Sequence, residues 1–139
     1  MTAPGAERAH WSRLCPSDRL VEGGDGLRFT VAAAGGPEPA FVVRVGGAPR
    51  AYLNRCAHVP VELDWLPGRF LDDTGVAVVC SVHGALYDAR DGGCLGGPCD
   101  GQGLVPIDCD EAHGWVRVQA RCIEPPPLHL PADRKEAHE

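Results

Sequence analysis

Cys56, His58, Cys80 and His83 constrain this chain more than any other feature, forming a C-A-H triplet and a C-S-V-H quartet separated by residues 59–79. Each half carries one thiol and one imidazole, so any fold that uses all four must bring two loops side by side. Two kinds of centre suit such a set. In a mixed-ligand iron–sulfur centre both cysteines hold one iron and both histidines the other, and exchanging two charged thiolates for neutral imidazoles raises the reduction potential. In a structural zinc site the same four groups surround one tetrahedral ion. Zinc fingers, however, usually place Cys with Cys and His with His, whereas here each loop carries one of each.

The residues after the second pair are equally specific. Cys80-Ser81-Val82-His83-Gly84-Ala85-Leu86-Tyr87-Asp88 leads through Arg90-Asp91-Gly92-Gly93-Cys94-Leu95 into Gly96-Gly97-Pro98, then Leu104-Val105-Pro106-Ile107 and Gly114-Trp115-Val116-Arg117-Val118. This pattern resembles the Rieske [2Fe–2S] family over roughly residues 25–119, and more closely its soluble, ferredoxin-like branch. The resemblance implies an all-β fold, a Rieske-type antiparallel sandwich or barrel with a small cluster-binding subdomain of two loops. It implies a [2Fe–2S] cluster, with Cys56 and Cys80 on the buried iron and His58 and His83 on the outer one. Gly84 continues the ligand motif, and Pro98 belongs to the loop that covers the cluster in that family. Tyr87 matches a family position whose phenol donates to a ligand sulfur, an ordinary core aromatic being the alternative reading.

Departures from the family pattern carry further expectations. Respiratory members have a cysteine in each ligand loop, joined as a disulfide beside the cluster; Val61 and Val82 stand in those places here. Ala85 replaces a serine whose hydroxyl donates to a cluster sulfur. Each missing donor leaves charge on the cluster less compensated and lowers the potential. The interval between the ligand pairs is also longer than in small Rieske ferredoxins, the excess falling within residues 64–73. Trp65, Leu66, Phe70 and Leu71 could make this insertion an apolar docking shelf or a cap that buries its own aromatics.

Composition bounds the rest. At 139 residues there is room for one core. Eighteen Gly and 13 Pro predict a turn-rich fold, while 44% hydrophobic content argues against disorder. The formal charge of −6 disfavours nucleic acid and suits a basic protein face. No basic stretch followed by an apolar run opens the sequence, and no stretch is long and apolar enough to span a bilayer, so the expectation is a cytoplasmic protein with no membrane partner. Period-two alternation in Leu27–Val31, Ala40–Val45 and Ala51–Leu53, and the apolar run Val76–Val79, predict strands that end at the ligand loops. The chain thus divides into an N-terminal segment (1–24), the cluster domain (25–119, with its cluster-binding part about 54–100) and a Pro-rich, charged tail (120–139).

Five cysteines remain outside the ligand set: Cys15, Cys94, Cys99, Cys109 and Cys122. Their odd number and a reducing compartment predict buried thiols and no disulfide, with Cys99, in the presumed covering loop, as a candidate redox thiol. His10, His113, His129 and His138 read as solvated. The functional expectation is a one-electron carrier between a flavoprotein reductase and an oxygenase or reductase acceptor, not catalytic alone. Other readings are a small subunit of a reductase of the nitrite reductase type, a redox sensor and a zinc-stapled interaction module.

Overall fold

Strand β3 decides the architecture. In the computed structural model, which describes residues 10–56, 62–64, 66–80, 84–97 and 102–123, it runs Gly36–Val45 with Ala40, Phe41, Val42, Val43 and Val45 all buried. Successive side chains of a strand point to opposite faces, so a run buried at every position needs apolar layers on both sides. Phe41, Val43 and Val45 face one core, which also contains Cys56, Cys80 and Tyr87; Ala40 and Val42 face a second, with Leu14, Phe29, Val116 and Val118.

The two cores separate three antiparallel sheets. The middle one orders β2 (Leu27–Ala33), β3, β4 (Ala48–Leu53) and β8 (Pro106–Ile107). Packed on the face that carries Ala40 and Val42 is a sheet of β1 (Trp11–Pro16), β10 (Trp115–Gln119) and β9 (Cys109–Ala112). On the other face lies the small sheet of β5 (Ala77–Val79), β6 (Leu86–Asp88) and β7 (Cys94–Gly96). No α-helix occurs among the described residues, so the expected all-β fold with a small cluster-binding subdomain is observed. No helix there is long and apolar enough to cross a membrane.

The strands expected from alternation are present, and two that were not expected join them. β1 lies in the segment expected to precede the domain, yet it pairs with β10 across the register Trp11↔Gln119 to Pro16↔Trp115. Its alternation is broken by a bulge between Arg13 and Cys15, which buries Leu14 and Cys15 consecutively. β9 falls in what reads as a polar turn. Only His113 and Gly114 form that turn, both at positive φ (54° and 82°), as a two-residue hairpin matching the strand twist demands. Asp110 and Glu111 are strand residues whose carboxylates meet Arg117 and Arg44. The Arg44 guanidinium holds the Glu111 carboxyl below the usual range and also bonds the carbonyls of Ser17 and Leu20, tying β3 to β9 and to the 3-10 turn Ser17–Arg19.

The insertion between the ligand pairs packs inward. Leu63 and Phe70 are fully buried, and the Phe70 ring stacks on Phe41 with centroids 4.0 Å apart and planes at 8°. Leu66 is exposed, and Trp65 lies outside the described residues. Phe70 therefore acts as a cap on the cluster-side core. Phe70→Ala should cost about 3–5 kcal/mol in urea unfolding, whereas a change within about 0.5 kcal/mol, as at a surface position, would show that the ring is no part of the core.

Candidate metal centre

Both ligand cysteines sit where a strand stops. β4 leaves the middle sheet after Leu53, and the chain passes through Asn54 and Arg55 to Cys56, steadied by hydrogen bonds from Asn54 N to Pro39 O (2.8 Å) and from Arg55 N to Leu53 O (3.0 Å). β5 ends at Val79, whose N–H bonds Phe70 O (2.9 Å), and Cys80 follows. A rigid sheet thus aims two loops at one place. Cys56 and Cys80 are 2% and 0% exposed and belong to the same buried cluster.

The second ligand loop is closed at its base. Cys80 N bonds Ala85 O (2.9 Å) and Gly84 N bonds Cys80 O (2.7 Å), with Gly84 at φ 79°, a conformation that L side chains rarely adopt. Gly97 sits against this base. A Cβ there would come within 2.8 Å of Gly84 O and 2.9 Å of Ala85 Cα, so only glycine allows the covering segment to approach the ligand loop. Ala85 is fully buried, leaving its methyl where the respiratory members have a hydroxyl.

Tyr87 reaches the first ligand from β6. Its ring is fully buried, and its hydroxyl lies 3.4 Å from Cys56 Sγ. A metal-bound cysteine is a thiolate and so only accepts, which assigns the phenol as donor. Donation to a ligand sulfur draws off negative charge and favours the reduced state. Tyr52, which caps the same core, gives its hydroxyl to Ala89 O at 2.7 Å, so its phenol is used structurally.

His58, His83, Val61, Val82, Pro98 and Cys99 lie outside the described residues. Two buried thiols in one apolar cluster, one of them with a phenol donor, nevertheless fit the donor chemistry of an iron–sulfur centre. Cys56 and Cys80, with His58 and His83, are the residues that would hold it.

A model of the Rieske [2Fe-2S] domain matches residues 10–122. The chain belongs to the Rieske [2Fe–2S] family. Rieske domains bind a [2Fe–2S] cluster and carry electrons, and the match includes β1, which extends the domain beyond the expected start at residue 25. Among solved structures, a chain in the reduced complex between oxygenase and ferredoxin in carbazole 1,9a-dioxygenase aligns with a TM-score of 0.66 at 24% identity, over 87% of this chain and 31% of that one. The terminal oxygenase of carbazole 1,9a-dioxygenase from Nocardioides aromaticivorans IC177 aligns with a TM-score of 0.65 at 25% identity, over 86% and 32%. A chain in the complex of reduced oxygenase and oxidized ferredoxin of carbazole 1,9a-dioxygenase aligns with a TM-score of 0.63 at 22% identity, over 84% and 99%. This chain therefore spans about a third of the first two and nearly all of the third. Comparison with curated proteins gives no match.

The other cysteines divide into two kinds. Cys15 and Cys109 are pushed up to about 11 by burial, and burial also raises Cys122, so these thiols stay protonated and inert at neutral pH. Cys109 Sγ donates to Pro49 O at 3.2 Å. Cys94 departs from expectation: it is disulfide-bonded, while Cys15, Cys56, Cys80, Cys109 and Cys122 are outside any disulfide. An odd number of thiols does not forbid one pair. The compartment argument concerns the bulk redox poise, whereas two thiols held close by the fold bridge according to their local effective concentration.

Sequence reasoning missed Asn54 and Asp64, both buried and polar. Alternation carried part of the signal: Asn54 shares the face of buried Tyr52, and a polar group there must be paired. Its partner, ten residues on, had no signal in spacing.

Two measurements test the centre. Tyr87→Phe should lower the potential by about 40 mV, the equivalent of about 1 kcal/mol in a one-electron couple, and an unchanged voltammogram would remove the phenol from the cluster's surroundings. Denatured, metal-free protein should gain two titratable thiols on phosphine reduction, the yield of the one bridge at Cys94; no gain would mean that no bridge forms there.

Proposed function

We propose that this Rieske electron carrier is a ferredoxin, taking one electron at a time from a flavoprotein reductase and passing it to an acceptor oxygenase. The observation that carries the reading is the polarity of the centre. Cys56 and Cys80 are buried against Tyr87, while Gly84, Leu95 and Gly97, next to the second ligand pair, are exposed. The thiolate side is thereby insulated, and the exposed glycine that follows His83 in sequence offers a place where a partner can come close.

When bound, the cluster supplies a one-electron couple. The chain's own work is to hold the two thiolates dry, to supply a phenol donor to Cys56 and to keep the loops fixed so that little reorganises when charge changes. The alignment takes in 99% of one chain from an oxygenase–ferredoxin complex and about a third of a terminal oxygenase chain. The oxygenase–ferredoxin complexes among those structures make an oxygenase the favoured acceptor, and the formal charge of −6 favours a basic docking face. A cytoplasmic setting fits a soluble flavoprotein donor.

Anaerobically purified protein should be red-brown, with two irons and two sulfides per chain and a Rieske EPR signal lost in Cys80→Ser. Its potential should fall in the lower half of the roughly −150 to +300 mV Rieske range, because Ala85 supplies no hydroxyl and the net charge opposes an added electron. Ala85→Ser should raise it. Stoichiometric zinc without sulfide would overturn the reading, and failure to cycle between a flavoprotein reductase and a Rieske oxygenase would overturn the carrier role alone.

A further inference from the structure

Asp64 is a carboxylate with no exposed side-chain surface, in a loop that hydrophobic residues already close. Burying a charge costs several kcal/mol unless it is paired and hydrogen-bonded. Here the pairing is complete. Asp64 Oδ1 accepts from Asn54 Nδ2 (3.0 Å), and Oδ2 accepts from Gly68 N (2.9 Å) and faces Arg28 Nε (3.2 Å). Asn54, itself fully buried, uses its own oxygen to accept from Leu63 N (2.8 Å). Four separate stretches, β2 through Arg28, the end of β4 through Asn54, and the insertion at 63–64 and at 68, meet at these two side chains.

We propose that Asp64 and Asn54 are positioning residues for the first ligand loop. The proposal rests on Cys56 being a cluster ligand. Leu63 and Phe70 already supply apolar burial, so what the polar pair adds is direction. Cys56 stands two residues beyond Asn54, after the β4 ladder has ended, and Asn54 is the last side chain before it that is fixed on both of its polar atoms. The insertion is long because it must return to position 54 with both donors and acceptors matched.

The test exchanges the two groups. Asn54→Asp sets carboxylate against carboxylate, and Asp64→Asn turns an amide NH2 onto a donor, either Gly68 N–H or Asn54 Nδ2. The double exchange Asn54→Asp/Asp64→Asn restores complementarity: the new amide at position 64 donates to the new carboxylate at position 54 and accepts from Gly68 N–H, while the carboxylate accepts from Leu63 N–H. Cluster loss from the holoprotein to an iron chelator is followed by visible absorbance, together with EPR g-values. Leu14→Ala, in the core on the opposite face of the middle sheet, controls for global destabilisation, which urea unfolding measures.

Each single exchange should accelerate cluster loss about 10–100-fold, the usual effect of removing a group that orients a metal ligand, and shift the g-values. Leu14→Ala should do neither at comparable unfolding midpoint, and the double exchange should return most of the rate. Singles that lose the cluster no faster than Leu14→Ala, or a double exchange no better than the singles, overturn the proposal. Should the singles give no soluble protein, Arg28→Gln, at a side chain 42% exposed, carries the same comparison: faster loss supports the proposal and an unchanged rate overturns it. A wild type without a Rieske signal, or Cys56→Ser with an unchanged one, would instead remove the assignment of the centre.

Discussion

Everything in this molecule depends on β3 being buried on both faces. One face of that strand joins the β1-β10-β9 sheet in an ordinary apolar core; the other forms the floor under the two ligand cysteines. The interior is close-packed and of low compressibility, so a floor of Phe41, Val43 and Val45 yields little beneath the two cysteines. Electron transfer profits from this, because a centre whose ligands barely shift between oxidation states has little to reorganise. The cost is that Cys56 and Cys80 stand just beyond the ends of β4 and β5.

They are held instead by three unlike devices. A paired carboxylate and amide orient the approach to Cys56. Two backbone hydrogen bonds close the turn from Cys80 to Ala85. A glycine contact lets the segment at Gly97 lie directly on that turn. Apolar burial fixes where the loops are, since it is non-directional; hydrogen bonds and close backbone approach fix which way they point.

Much of this was legible in the sequence, for reasons that differ by residue. The strands around the middle sheet declare themselves because their patterns are local: period two in Leu27–Val31 and an unbroken apolar run in Ala40–Val43 need no knowledge of their neighbours to be read. The ligand set is legible because few chemistries combine one thiol and one imidazole in each of two loops. Tyr87 could be placed only through its position after Cys80, and the 3.4 Å contact with Cys56 now gives that position a physical role. What escaped depends on pairing across distance. β1 has a bulge that breaks its pattern, β9 carries Asp and Glu that find their arginines only once Arg44 and Arg117 are in place, and the bridge at Cys94 is a matter of proximity that counting cannot supply.

The thiols show the same sorting by environment. Cys15 and Cys109 belong to the core on the other face of the middle sheet from Cys56 and Cys80, and burial drives them up to about 11 against the opposing pull of nearby arginines, so they pack as small apolar groups. Cys56 lies in equally dry surroundings but has a phenol within reach of its sulfur, and a metal-bound thiolate there is compensated by the metal and by that donor. Burial alone therefore silences a cysteine, whereas burial beside a phenol donor suits a cysteine to hold a metal. The fold provides an apolar core for each outcome, and the difference lies in the few polar atoms that each admits.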